Sequence, residues 1–407
     1  MSLSSLLEDI QVEILLKLPA SSVLACKYVC KLWFTLVSKP EFIKNHHHRA
    51  IQRNSDRKLL LSHYDSTRPG DEKPAISSID YASILPLSLS SDYECDGEIP
   101  VDYPISPFRQ EDVKFLRILG SCNGLICLGI VTYDCDATRI CIWNPTTKEY
   151  KQIPRCGSPS SDKNWSYAKY GFGFDNNSDD YKVVRIPWDN YCESSVIQVY
   201  TMGSDSWHEV QTIPYWLRWQ ERSSLPFFNG ALHWLGYTTQ GTSSDFIVSF
   251  ELSNERLAQL PFPEKNRKDW DDSEKVFTSV GVLRDCNCLN IGYTDDHIDI
   301  WVMQDYGVPE SWTKRFTFSI NLHDLMCCRP IWSFENGDIL LDGFSNFFIY
   351  DPRSGKVRMA MPIRHSYKSR DVEFYVESLV SVKSNTCLKK LIKMKLEGVR
   401  MNLEGAN

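Results

Sequence analysis

The sequence lacks the spacings on which most enzyme chemistry depends. It holds no Gly-x-Ser-x-Gly elbow, no phosphate-binding Walker loop and no His-Glu-x-x-His pair. Gly171 and Gly173 stand in a strand-like run without the third glycine and the helix that a dinucleotide site requires. None of the 14 cysteines forms a Cys-x-x-Cys pair, and the nearest neighbours are Cys286/Cys288 and Cys327/Cys328. That spacing argues against zinc, and the cysteines read as small buried hydrophobes of a reducing compartment. No run approaches the ~18 apolar residues of a membrane span. Glu8, Asp9 and Glu13 interrupt what would have to be the apolar core of a signal peptide. The expectation is a protein of the cytoplasm, with the nucleus as a further location. The net charge is −7 and the one basic run, around Lys389, Lys390, Lys393 and Lys395, reads as a solvated C-terminal face, so neither nucleic acid nor a membrane surface is an expected partner. His46, His47 and His48 read as a solvated helix end, because adjacent helical side chains point apart and cannot share a metal. No cofactor, metal or catalytic residue is expected.

What remains is ample apolar material, 42% of 407 residues, enough for more than one core. From Leu6 to Ile43 the apolar residues recur at helical spacing: Leu6, Ile10, Ile14 and Leu18, then Leu24, Val29, Trp33, Leu36 and Val37. Pro19 stops the first helix, Ser21 and Ser22 can cap the next, and Pro40 closes the set. Leu7, Leu15 and Val23 widen the stripe beyond one core-facing side. A helical unit of ~40 residues without disulfides or metal buries too little surface to stand alone. It requires a covering surface, either the protein's own second domain or another chain.

The rest of the chain repeats. Five strands end in an aromatic residue, Trp143, Tyr200, Phe250, Trp301 and Tyr350, separated by 57, 50, 51 and 49 residues. Each follows a hairpin with its own turn, at Asn123-Gly124, 175–180, Asn229-Gly230, 285–288 and Asn336-Gly337; Asn-Gly between apolar runs is a strong hairpin signal. Four antiparallel strands in about 50 residues is one propeller blade. Pro154, Pro214, Pro261 and Pro362 fall near the end of the fourth strand in four of the five repeats, where an edge lacks a ladder partner. Strand-like runs remain at 58–64, 75–81 and 374–382, and pairing the two chain ends would build a sixth blade. The fold expected is mainly β: a six-bladed β-propeller, alternatively seven-bladed, preceded by a small all-α module, with a β-sandwich as the competing architecture. The domain boundaries are 1–45 for the helices, 46–110 for a linker and the first strands of the closing blade, 111–390 for the propeller and 391–407 for a tail.

Two stretches carry a resemblance. Leu6-Leu7-Glu8-Asp9-Ile10, Glu13-Ile14-Leu15-Leu16-Lys17-Leu18-Pro19, Ser22-Val23-Leu24, Lys27-Tyr28-Val29-Cys30-Lys31-Leu32-Trp33 and Pro40-Glu41-Phe42-Ile43 resemble the F-box. Leu6-Leu7 replaces the usual Leu-Pro, and Ala25-Cys26 the usual Arg-Phe, which removes a rigid helix start and some apolar area. The runs Gly171-Phe172-Gly173-Phe174-Asp175, Asp180 to Ile186, Asp205-Ser206-Trp207, Phe228 to Trp234, Ile300 to Met303, Glu310-Ser311-Trp312 and Glu377 to Val380 resemble the F-box-associated domain of plant F-box proteins, particularly the S-locus type of self-incompatible plants. The resemblance implies a non-catalytic substrate receptor of a ubiquitin ligase. It would dock on a Skp-type adaptor, and through it on a cullin and a RING subunit, by Leu6, Leu7, Ile10, Ile14, Leu15, Leu18, Pro19, Leu24, Val29, Cys30, Trp33 and Val37. The target would be a protein, with a basic secreted pistil ribonuclease as one candidate. The rival is a propeller hydrolase or sugar-binding lectin with a helical cap, which a carboxylate-lined central pocket would favour.

In a four-stranded blade, alternate turns leave from opposite faces. Turns one-two and three-four are short here, whereas 129–138, 187–195, 215–224, 238–245 and 264–274 are long and irregular. The long-loop face carries Tyr133, Asp134, Trp188, Asp189, Tyr191, Trp216, Arg218, Trp219 and Trp270, the residue types that dominate protein hot spots, with acidic neighbours suited to a basic partner. It is the expected substrate face.

Overall fold

The computed structural model describes residues 8–53, 57–65, 73–84, 98–104, 109–133, 139–156, 168–187, 195–217, 224–238, 244–263, 275–283, 286–294, 296–320, 328–343, 346–361 and 371–383. Four helices open the chain: α1 (Glu8–Leu16), α2 (Ala20–Cys26), α3 (Lys31–Ser38) and α4 (Pro40–Ile51). Pro19 precedes α2 and Pro40 begins α4, where the missing N–H costs nothing. Cys30 caps α3, its Sγ accepting from the Trp33 amide at 3.5 Å.

Six sheets follow. The closing blade orders its strands β26 (Asp371–Val376), β1 (Arg57–Asp65), β2 (Lys73–Asp80) and β3 (Glu98–Pro100). Blade one is β4 (Val113–Cys122), β5 (Leu125–Thr132), β6 (Arg139–Trp143) and β7 (Tyr150–Gln152). Blade two is β8 (Ala168–Asp175), β9 (Asp180–Pro187), β10 (Ser195–Thr201) and β11 (Ser206–Ile213). Blade three combines β12 (Trp216–Leu217), β14 (Phe227–Phe228), β15 (Ala231–Thr238), β16 (Ser244–Glu251) and β17 (Arg256–Leu260), while β13 (Ser224–Leu225) crosses to pair in parallel with β8. Blade four is β18 (Lys275–Leu283), β19 (Cys286–Tyr293), β20 (His297–Met303) and β21 (Trp312–Ser319). Blade five is β22 (Arg329–Ser333), β23 (Ile339–Asp342), β24 (Phe347–Asp351) and β25 (Lys356–Met361).

The chain is therefore a six-bladed propeller with a helical module in front, as the repeat predicts. The last strand, β26, supplies the inner edge of the blade whose outer strands come from the N-terminal half, with Arg57 opposite Val376 and Ser62 opposite Asp371. Closure in this way leaves the ring no open inner edge. Each pair of neighbouring blades shares its own apolar core, six cores in all. The five aromatic anchors lie buried in the third strands β6, β10, β16, β20 and β24, which explains their period: each is the same position of one blade. Asn123-Gly124 and Asn229-Gly230 place both central residues at positive φ, 51° and 78°, then 49° and 75°, the twist that a two-residue hairpin needs.

Two tryptophans of the fourth strands stitch the ring from outside. Trp207 donates its indole N–H to the Pro154 carbonyl at 2.7 Å, and Trp312 donates to the Pro261 carbonyl at 2.8 Å, so each clamps the end of the preceding blade. The proline that cannot continue a ladder leaves a carbonyl for the next blade. Deeper in the seam between blades two and three, the buried Lys182 ammonium meets Asp175 at 3.1 Å, Glu255 at 2.9 Å and the Leu252 carbonyl.

One sequence expectation about a loop is corrected. The described ends of the segment 215–224 enter short strands, Trp216–Leu217 and Ser224–Leu225, and residues 218–223 lie outside the described residues. Trp216 and Leu217 pair with Tyr237 and Gly236, Leu225 is buried, and Tyr215 packs edge-on against Phe246. Trp216 and Leu217 start the interrupted inner edge of blade three and Leu225 pairs with blade two, because the apolar side chains Leu217 and Leu225 fill the core that the two blades share.

Candidate binding faces

The helical module is built around a small core of its own. Leu15, Leu16, Ala20, Val23, Trp33, Leu36, Val37 and Phe42 are buried together, and the Trp33 indole donates to the buried Gln11 carbonyl oxygen at 2.7 Å. Arg49 on α4 grips the Glu13 carboxylate of α1 with two bonds of 2.9 Å, which pulls that carboxyl below its ordinary pKa. Both groups are exposed, so the pair sets geometry more than stability.

The module sits on the short-turn face of the propeller. Helix α4 leads into the end of β1 that lies opposite Val376, and the imidazole of His47 is within hydrogen-bonding reach of Asn123, in the first turn of blade one. Arg57 donates to the Ile51 carbonyl at 2.8 Å and stacks its guanidinium 4.3 Å from the centre of the Trp332 ring of blade five. The solvated histidine end expected from the sequence is thus wrong for two of its three residues. His46 is fully buried and donates to the Leu18 carbonyl at 2.8 Å, and His47 is buried at the joint with its pKa pushed down to about 4 by desolvation; only His48 is exposed. A helix packed on a propeller turns two adjacent residues inward when one faces its own module and the other the blade.

The residues predicted for adaptor contact divide into three groups. Ile10, Ile14, Pro19, Val29 and Cys30 are exposed, and Leu18 and Leu24 are half-buried. Leu15, Trp33 and Val37 are instead sealed in the module's own core, Leu15 and Val37 completely, so as placed they offer no contact surface and their assignment to the face is corrected. The physical reason is that four short helices must first satisfy each other. Leu6 and Leu7 lie outside the described residues. The sequence reading missed Tyr28, Leu32 and Phe34, exposed by 91%, 41% and 56%. They belong to the segment from Lys27 to Phe34 but fall off its helical stripe, and an apolar side chain off the stripe was the available signal.

The long-loop face is described in part. Tyr133, just past β5, is 63% exposed, and Trp216 lies in the inner edge of blade three. Asp134, Trp188, Asp189, Tyr191, Arg218, Trp219 and Trp270 lie outside the described residues. At the start of β26 the buried Asp371 is engaged on both oxygens, by the Ile118 amide at 3.1 Å and by Arg117 at 3.7 Å, and in β23 the buried Asp342 faces Arg329 at 3.5 Å. These carboxylates are held in ion pairs. Among the described residues no group of three or more His, Cys, Asp or Glu side chains is placed to hold a metal ion.

Comparison with known proteins agrees with this division. Residues 81–390 match the family model described as the F-box associated beta propeller domain, and residues 3–45 match the F-box domain. Curated relatives cover nearly the whole chain. The F-box protein CPR1 of Arabidopsis thaliana is 26% identical over 91% of this chain and 88% of its own length. The F-box/kelch-repeat protein At3g23880 of the same plant is 27% identical over 91% of this chain and 93% of its own. Among solved structures, a prolyl endopeptidase covers 81% of this chain with 52% of its own, at 11% identity and a TM-score of 0.41, a likeness too slight to bear on function.

Proposed function

Because the chain belongs to the F-box proteins that carry an F-box-associated β-propeller, we propose that it is the substrate receptor of a Skp-cullin-F-box ubiquitin ligase, working inside the cell. The observation that carries this reading is a helical module whose core is already filled and which still exposes Ile10, Ile14, Tyr28, Val29, Leu32 and Phe34. Large apolar side chains gathered on one small unit are the mark of a protein contact. A Skp-type adaptor covers them, and a cullin and a RING subunit follow through the adaptor. The receptor needs no bond-making residue. It raises the effective concentration of a target lysine near the ubiquitin thioester by holding two partners on one rigid body.

The target binds at the long-loop face, on the side of the ring away from the helices. Tyr133 is the described residue that supports this placement, and Asp134, Trp188, Asp189, Tyr191, Arg218, Trp219 and Trp270 are assigned to the same face from their positions in the sequence. A net charge of −7 suits a basic partner, and the S-locus likeness nominates a pistil ribonuclease of that charge.

The test is a titration of the full chain with purified Skp-type adaptor. Ile14→Asp combined with Val29→Asp places two charges in the contact without touching the core, and affinity falls by roughly a hundredfold or more while the urea midpoint stays. Undiminished binding by that variant overturns the reading.

A further inference from the structure

The core of the helical module has nine buried members, and one of them is not helical. Eight come from Leu15 to Phe42; the ninth is Leu379, which lies beyond the last strand and is 2% exposed. Residues 377–383 run beneath blade one as a strap. Glu377 pairs with Lys58 at 2.8 Å, and Lys58 also holds Asp80 at 3.0 Å, which ties the strap to the closing blade. Asn144, in the three-four turn of blade one, donates its side-chain amide to the carbonyls of Ser378 at 3.1 Å and Val380 at 2.8 Å. Ser381 donates to Glu149 at 2.6 Å, and Val382 is fully buried in the core between blades one and two. Leu379 therefore enters the helical module from a segment fixed on both sides by the propeller.

We infer that the adaptor-binding face is completed by the strap that follows β26, so that the module becomes competent for its adaptor only when the ring has closed. The physical argument has two parts. Four short helices with one small core are marginal, so a leucine contributed from outside decides whether they are ordered. That leucine cannot reach them until β26 has paired with β1, because the strap begins where β26 ends. The helices are synthesised before the strap, so an unfinished or unclosed receptor presents an incomplete module. The same contact fixes the angle between adaptor and substrate face, since α4, Leu379 and the Asn123 turn form one joint. A ligase gains from this order: a receptor whose propeller has not formed does not occupy the adaptor.

This inference rests on the receptor reading for its adaptor arm and on the fold alone for the other. Two full-length variants test it. Leu379→Ala empties the ninth position. Asn144→Asp keeps the oxygen that accepts from the Thr146 and Thr147 amides at 2.9 and 3.2 Å, but faces the two strap carbonyls with an acceptor instead of a donor, and it lies outside the helices. Hydrogen exchange is followed over α1–α4, with blades three and four as the internal reference, and adaptor affinity is measured on the same samples. Both variants are expected to speed exchange in the helices by about tenfold or more and to weaken adaptor binding in step, with blades three and four unchanged. Helices that keep their protection and their affinity in both variants overturn the inference. So does a loss spread evenly over all blades, because the strap would then serve the ring and not the module. If the wild type binds no adaptor, the receptor reading fails by itself, and the exchange arm still decides whether ring closure orders the helices.

Discussion

Gly124 offers a test of the joint in which one variable changes at a time. It occupies the second turn position of the blade-one hairpin with φ of +78°, and a Cβ added there would meet the Val376 carbonyl oxygen at 2.5 Å and the Ser378 hydroxyl still closer. Gly230 holds the corresponding position of blade three with φ of +75°, and a Cβ added there meets nothing within 4 Å. Alanine at either site carries the left-handed backbone penalty of about 1–2 kcal/mol. Only at Gly124 must backbone and strap also move, a displacement of the overpacking kind that costs roughly 1–3 kcal/mol more. The expected loss is therefore about 2–5 kcal/mol for Gly124→Ala and about 1–2 kcal/mol for Gly230→Ala. Equilibrium urea titrations followed by tryptophan fluorescence, with the slope checked for constancy, give both values. Equal losses at the two glycines would refute the close approach of strap and turn, because the backbone term is common to both.

Acid should weaken the fold before carboxylates titrate. His47 and His233 are both held neutral by burial, with pKa values lowered from 6.5 to about 4. The unfolded chain binds more protons than the folded one between these values, so stability falls as pH drops through that window, by about 2 kcal/mol per histidine at pH 5. Gln at either position should flatten the profile between pH 6.5 and 5, as read from urea midpoints, and an unchanged slope in the double variant counts against the assignment. Trp312→Phe removes the indole bond to Pro261 while keeping most of the ring's bulk, and a loss of about 1 kcal/mol with faster exchange at the seam of blades three and four is expected. Lys182→Ala leaves the buried Asp175 carboxylate without its cation; that costs roughly 3–5 kcal/mol, and Lys182→Ala with Asp175→Asn recovers part of it in a double-mutant cycle.

The ring was legible because it is redundant. Five aromatic anchors at near-equal intervals report one structural position five times, and Asn-Gly turns fix the hairpins between them. The closing blade was readable from leftover strand-like runs at both ends. The excursion through β12, β13 and β14 was not, since strands of two residues are too short for any period to register. In the helices the sequence shows which side chains are apolar without showing what covers each. Leu15 and Ile14 are neighbours of the same type, yet one is sealed and the other 42% exposed, and three-dimensional packing alone separates them. His46 and His47 misled for a related reason: polarity suggests solvent, whereas a joint between two units buries whatever lies on its path. Leu379 looked like part of one more strand, and nothing near it in sequence announces a core at the other end of the chain.

The helices and the strap meet blade one at its two tight turns, 123–124 and 144–149, while the connections after the second and fourth strands leave from the opposite rim. Insertions and substitutions on that far rim cost the docked module nothing, and the turns beneath it leave no room for them. One scaffold can thus be refitted to new targets over generations while its place in the machinery stays constant, in the way a tool changes bits without changing its chuck.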